Sequence, residues 1–220
     1  MSNTLKELAE KGSKYWIQKI INTEYLRQCL DNKIGLSKIM WVSPLEHEQY
    51  KEYELIKSSI STKLGIDANY IQSFWPNRGP QWDALGKVDD GTVILLEAKA
   101  YCNEYRSRTD AEDPSLALIK DSLKKTHDGL YATIPFQEEI WLYKFYQTAN
   151  RLAFWYFLNR KYKVILVFLN IINDCNKKTS EQEWKTHNQE MISSLLGNAP
   201  LPSGVKIIQY DVKANKFLTY

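Results

Sequence analysis

Residues 81–99 read Gln81-Trp82-Asp83-Ala84-Leu85-Gly86-Lys87-Val88-Asp89-Asp90-Gly91-Thr92-Val93-Ile94-Leu95-Leu96-Glu97-Ala98-Lys99, and their pattern predicts strand, turn, strand. Asp89-Asp90-Gly91 carries the turn signal. With Gly91 at the left-handed position, a three-residue loop sets Val88 opposite Thr92. Counting outward places Asp83 opposite Glu97. Directly opposed residues point to one face, with Cβ atoms about 4.5–5.5 Å apart. Lys99, two residues beyond Glu97, shares that face. Two carboxylates held face to face repel each other, and a bound divalent cation is the most economical reason for holding them so.

The strand predicted over 92–100 is apolar on both faces in its middle, as in a central strand covered on both sides. Outward from it, 4–33 has Leu5, Leu8, Trp16, Ile20, Ile21, Leu26 and Leu30 at helical spacing, with breaks at Gly12 and Asn22-Thr23. A helix is predicted over 44–64, with Ser43 as N-cap, Pro44 at its first position, Glu46 completing a capping box and Gly65 as its stop. Residues 69–75 read as a strand, 76–80 and 101–114 as loops, and 114–130 and 136–159 as helices. Strands over 164–170 and 205–212 flank a helix over 181–196 closed by Gly197. This order predicts an α/β fold with a mixed sheet and helices on both faces, preceded by N-terminal helices.

At 220 residues, one domain with a sizeable core is expected. A 44% hydrophobic, 25% charged composition is ordinary for a soluble globular protein. Aromatics at 13% suit either a packed core or a stacking surface. The net charge of +3 is compatible with a nucleic-acid enzyme whose groove is locally positive. Residues 1–40 hold seven Lys/Arg against four Asp/Glu. Cys29, Cys102 and Cys175 are odd in number and far apart, so neither a zinc site nor a disulfide framework is expected, and a reduced, cytoplasmic setting fits. No signal-peptide region stands at the start. The longest apolar run, 164–172, is interrupted by Asn170 and falls short of the ~18 residues of a membrane helix. No Walker loop, GxGxxG, GxSxG or HExxH is present, which argues against nucleotide motors, dinucleotide enzymes, serine hydrolases and zincins.

Asp83…Glu97-x-Lys99 resembles the active site of the PD-(D/E)XK nuclease superfamily, the restriction-endonuclease-like fold. There an acid opens one strand of a hairpin, and Glu-x-Lys or Asp-x-Lys follows on the next, with a helix before and a helix and strand after. The resemblance covers roughly 43–170, leaving 1–42 as a helical extension and 171–220 as a helix and strand that complete the sheet. Trp82 stands where the superfamily usually has Pro, a common departure, and Gly79-Pro80 lies just upstream. The block Trp75-Pro76, Gly79-Pro80, Trp82-Asp83-Ala84, Glu97-Ala98-Lys99 is also similar to one in uncharacterised bacterial proteins of this fold, for which no substrate is established.

The resemblance implies a Mg²⁺-dependent nuclease, with Mn²⁺ as a substitute, acting on nucleic acid, DNA by preference. Mg²⁺ takes hard oxygen ligands and keeps several waters. Asp83 and Glu97 would supply two ligands and the Ala98 carbonyl a third, while Lys99 would orient or deprotonate the attacking water or neutralise transition-state charge. Many members add a Glu from the preceding helix. Glu52 is the candidate over Glu48, because it falls near the face of Leu45, Ile56 and Ile60; the alternative is a solvated Glu52 at the stripe's edge. Gln147, sharing a helical face with Arg151, matches members that place a Gln near the site; a plain polar face is the alternative. Arg106 and Arg108 could touch phosphates or be solvated beside Asp110 and Glu112, and Tyr101 and Glu104 could line the cleft. His47, His127 and His187 lack metal-ligand spacing and read as structural or exposed. The contrasting reading is a non-catalytic member of the fold, a DNA-binding or protein-interaction module whose N-terminal helices form a homodimer or meet a partner.

Overall fold

The computed structural model describes residues 8–56 and 58–214; Leu5 and the last residues of the 171–220 segment lie outside them. The elements run α1 (Gly12–Asn22), α2 (Glu24–Ile34), β1 (Met40–Ser43), a 3-10 turn (Glu46–Glu48), β2 (Tyr53–Glu54), α3 (Ser58–Leu64), α4 (Ala68–Gln72), β3 (Gln81–Trp82), β4 (Ala84–Lys87) and β5 (Val93–Lys99). A second 3-10 turn (Cys102–Tyr105), α5 (Ser115–Gly129), a π-helical turn (Glu139–Lys144), α6 (Tyr146–Leu158), β6 (Val164–Ile172), α7 (Glu181–Leu196) and β7 (Val205–Asp211) follow.

A five-stranded mixed sheet has the order β1-β4-β5-β6-β7, and β2 and β3 make a small second sheet. β1, β4 and β5 are antiparallel to their neighbours, while β5, β6 and β7 run parallel. The predicted turn is present: the Val88 N–H donates to the Thr92 carbonyl and the Gly91 N–H to the Val88 carbonyl. Gly91 has φ +88°, where a side chain would be strained. Pairs Lys87↔Val93 through Ala84↔Leu96 follow in the predicted register.

Every residue of β5 is buried, and its alternation sorts the core. Val93 and Leu95 pack with Leu123, Leu152, Phe154, Trp184 and Leu195 of α5, α6 and α7. Ile94, Leu96 and Ala98 pack on the other face with Trp16, Ile17, Ile20 and Leu30 of α1 and α2. Each fully buried Leu, Ile or Phe contributes about 1.5–3 kcal/mol, so these two apolar layers hold the sheet. The same alternation sends Glu97 and Lys99 to the α5–α7 face. No helix among the described residues is long and apolar enough to cross a membrane.

Three sequence expectations are corrected. The helix predicted over 44–64 is reduced to α3. Ser43 belongs to β1 and pairs with Leu85, so its backbone is in the ladder and cannot cap. Its buried hydroxyl has no hydrogen-bond partner among the described residues, and the Glu46 N–H goes to Asn22 Oδ1 at 2.9 Å instead. Gln49 and Tyr50 then take positive φ, turning the chain so that Tyr53 pairs with Trp82 and Glu54 with Gln81. The predicted strand 69–75 holds α4, capped by Asp67, whose Oδ1 accepts from the Asn69 N–H. The long helix over 136–159 is split at Phe145. There the loop residue Ser107 inserts: its N–H donates to the Lys144 carbonyl, and its own carbonyl receives the Tyr146 N–H.

Gly86 sits against Trp41 on the neighbouring strand. A Cβ there would lie 2.7 Å from Ile39 Cγ2 and 3.1 Å from Trp41 Cε3, both buried side chains. Gly86→Ala is expected to cost about 1–3 kcal/mol through overpacking, read as a lower urea midpoint with an unchanged slope. An unchanged midpoint would mean that β1 moves away freely.

Candidate active site

Glu97 lies at the carboxyl end of β5 and is 1% exposed. A buried carboxylate needs compensation, and two cations supply it. Lys99 Nζ donates to Glu97 Oε1 at 2.6 Å. Arg151 reaches Oε2 through Nε at 2.9 Å and Nη2 at 2.8 Å. Burial works to raise the Glu97 carboxyl, but Arg151 and Lys99 outweigh it and hold the group below its ordinary range.

Asp83 stands between β3 and β4, one step past the Ala84↔Leu96 pair and hence across from Glu97. It is half-buried, and its Oδ2 accepts the Ala98 N–H at 2.7 Å. Desolvation, followed by repulsion from Glu97, pushes its carboxyl up to about 7, against the pull of Lys99. The two carboxylates at one strand end are thus held in unlike states: one is fixed as an anion by ion pairs and the other titrates near neutrality.

The first turn of α6 completes the group. The Ser107 hydroxyl accepts the Gln147 N–H at 2.8 Å, fixing where the helix begins. Gln147 Oε1 then accepts from Lys99 Nζ at 2.8 Å, so Lys99, 7% exposed, is held between an anion and an amide. Beside the cluster opens a polar cleft of ≈ 530 Å³ whose lining includes Glu54, Arg78, Arg108, Gln147, Asn150 and Arg151. Gln147 and Arg151 stand between this cleft and the Glu97–Lys99 pair.

The structure therefore brings together Asp83, Glu97, Ala98, Lys99 and Gln147. It does not bring Glu52 to them. Glu52 lies outside any helix and pairs with Lys14 at 3.3 Å, because the predicted helix that would have carried it is absent. Glu48 is taken by Lys63 and the Tyr53 hydroxyl. The carboxylate that does reach the cleft is Glu54, placed there by the β2–β3 pairing. Arg108 lines the cleft and pairs with Asp110 at 3.3 Å. Arg106 is exposed and acts on His187 instead. Glu104 accepts the Ala100 N–H at 2.6 Å, and Tyr101 carries the Lys177 ammonium over its ring. Asn170, aligned with Lys99 on β6, takes the Tyr105 hydroxyl on Oδ1 while its buried Nδ2 has no partner among the described residues. Arg78, Glu54 and Asn150 were not singled out from the sequence. The signal available for Arg151 was a charged residue in the apolar run that follows it on α6.

The donor set fits an oxygen-seeking divalent cation. Asp83 Oδ1 accepts no hydrogen bond among the described residues, and Glu97 Oε1 accepts only one, leaving a lone pair. Among those residues no group of three His, Cys, Asp or Glu could hold a metal; an ion such as Mg²⁺, which keeps several waters, needs only one or two carboxylates. Softer metals that need imidazole or thiolate do not fit. No protein-family model, no curated protein and no solved structure matches this chain.

Proposed function

We propose that this chain is a metal-dependent phosphodiesterase acting on DNA, built on a restriction-endonuclease-like fold, with Mg²⁺ or Mn²⁺ held by Asp83 and Glu97. The observation that carries it is the gathering of Asp83, Glu97 and Lys99 at one end of β5, with Lys99 Nζ 2.6 Å from Glu97. A hairpin feeding a parallel βαβ crossover through α5 and α6 supports the fold assignment. The metal would polarise the phosphate and acidify a bound water. Glu97, kept ionised by its ion pairs, and Asp83, deprotonated as pH rises above about 7, would supply the oxygens. Lys99, aimed by Glu97 and Gln147, brings positive charge to where negative charge develops on the phosphate. Arg78 and Arg108 in the cleft offer backbone-phosphate contacts, and such contacts position a strand without reading its sequence.

Purified protein with plasmid and single-stranded DNA in Mg²⁺ or Mn²⁺ is the test. Lys99→Ala is expected to lower cleavage at least about 100-fold, and Asp83→Ala to abolish metal-dependent cleavage. Cleavage that persists unchanged in both variants sinks the reading. The burial of Glu97, with both its oxygens paired behind Gln147 and Arg151, favours a second reading, a non-catalytic DNA-binding module. Calorimetric Mn²⁺ binding that vanishes in Asp83→Ala and Glu97→Gln favours the enzyme; no binding by the parent favours the module.

A further inference from the structure

We infer that Arg151 is a positioning residue for the Glu97 carboxylate, turning one oxygen away and presenting the other. The inference rests on Glu97 as a metal ligand. The guanidinium carries five N–H donors in a rigid fork, and its three nitrogens make four contacts to three partners. Nε and Nη2 take Glu97 Oε2, Nη2 also takes the Gln81 carbonyl at 2.7 Å, and Nη1 takes Asn150 Oδ1 at 2.8 Å. The guanidinium carbon lies 4.8 Å from the Trp82 ring centroid, a cation–π contact that adds to the hold on the fork. Arg151 is 3% exposed.

The partners of that fork come from three elements. Gln81 is in β3, Trp82 is its neighbour, Glu97 is in β5 and Asn150 is in α6. A lysine could match the charge but not the simultaneous hydrogen bonds in one plane. With Oε2 held by the Nε hydrogen bond and the Nη2 ion pair, and Oε1 by Lys99, rotation of the carboxylate about Cγ–Cδ is restrained. Oε1 is left with Lys99 and a spare lone pair. Arg151 thus supplies geometry as well as charge, and groups that orient metal ligands from behind change metal affinity 10–100-fold when removed.

The test is calorimetric titration of the full chain with Mn²⁺ alone, on the parent, Arg151→Lys and Asn150→Ala, each checked for a native circular-dichroism spectrum. Asn150→Ala keeps the guanidinium but removes one anchor, so it reports even where Arg151→Lys fails to fold. Arg151→Lys is expected to weaken Mn²⁺ binding 10–100-fold and Asn150→Ala by a smaller factor in the same direction. Parent-like affinity in a folded Arg151→Lys, or in Asn150→Ala where the former does not fold, overturns the positioning role while leaving the metal site standing. A parent that binds no Mn²⁺ overturns the metal site and the positioning role with it.

Discussion

Glu97→Ala is expected to destabilise the protein by about 3–5 kcal/mol, because it strips the shared anion from two buried cations. Arg151 is 3% exposed and Lys99 is 7% exposed, so water cannot replace the lost carboxylate at either. Their remaining partners, the Gln81 carbonyl, Asn150 and Gln147, are neutral acceptors. For a chain of this size each kcal/mol moves the melting temperature about 2–4 °C, so a fall of roughly 6–20 °C follows. Glu97→Gln keeps the volume and one acceptor and is expected to cost less. Pairing Glu97→Ala with Arg151→Met should recover part of the loss, because the two changes share one interaction. A coupling of about 0.5–3 kcal/mol is the expected size. Urea unfolding of the four proteins measures it; a Glu97→Ala midpoint indistinguishable from the parent would show that the cluster is hydrated rather than buried.

The second large effect is on pH dependence. The Asp83 carboxyl rises from 3.8 to about 7 in the fold, through burial and then repulsion from Glu97. A folded-state pKa above the unfolded value means that the native protein binds the extra proton. Its contribution is therefore fully present below pH 3.8 and is lost as pH rises through about 7. At 1.36 kcal/mol per unit the full loss is at most about 4 kcal/mol, and only its upper part falls between pH 5 and 8. Glu97, held low, acts in the opposite window: it contributes above its unfolded pKa and the contribution is lost as acid is added. Comparing the parent with Asp83→Asn removes that background. In chelator, the parent is expected to lose stability relative to the variant between pH 5 and 8, and parallel profiles would contradict a raised Asp83. Where Asp83 and Glu97 hold a cation, millimolar Mg²⁺ should restore the parent at pH 8 and not at pH 5, since binding to the native state alone stabilises it.

Much of this arrangement was readable from residues 81–99. A turn with Gly91, an odd loop length and a two-residue side-chain period are local properties, and they suffice to bring Asp83, Glu97 and Lys99 to one face. The doubly apolar middle of β5 likewise announced a strand with helices on both sides. What failed was wherever a distant segment claimed the backbone. Ser43-Pro44 with Glu46 has the composition of a helix start, yet Ser43 is drawn into the sheet by Leu85 and Glu46 is bonded by Asn22. Glu52 was thereby lost as a candidate, and Glu54 entered the cleft. The run from 136 to 159 has helical composition throughout, and only Ser107, far away in sequence, divides it and sets the register of Gln147.

The sequence by itself determined the hairpin, its register and the meeting of two acids with a lysine, because pairing across a three-residue turn is a matter of counting. The tertiary structure alone decided that Arg151 is the second cation on Glu97 and that Asp83 and Glu97 titrate apart. Those properties depend on burial and on groups from β3, β5, α6 and the Asp83 bend converging within hydrogen-bond reach, and no local pattern in the chain encodes such a convergence.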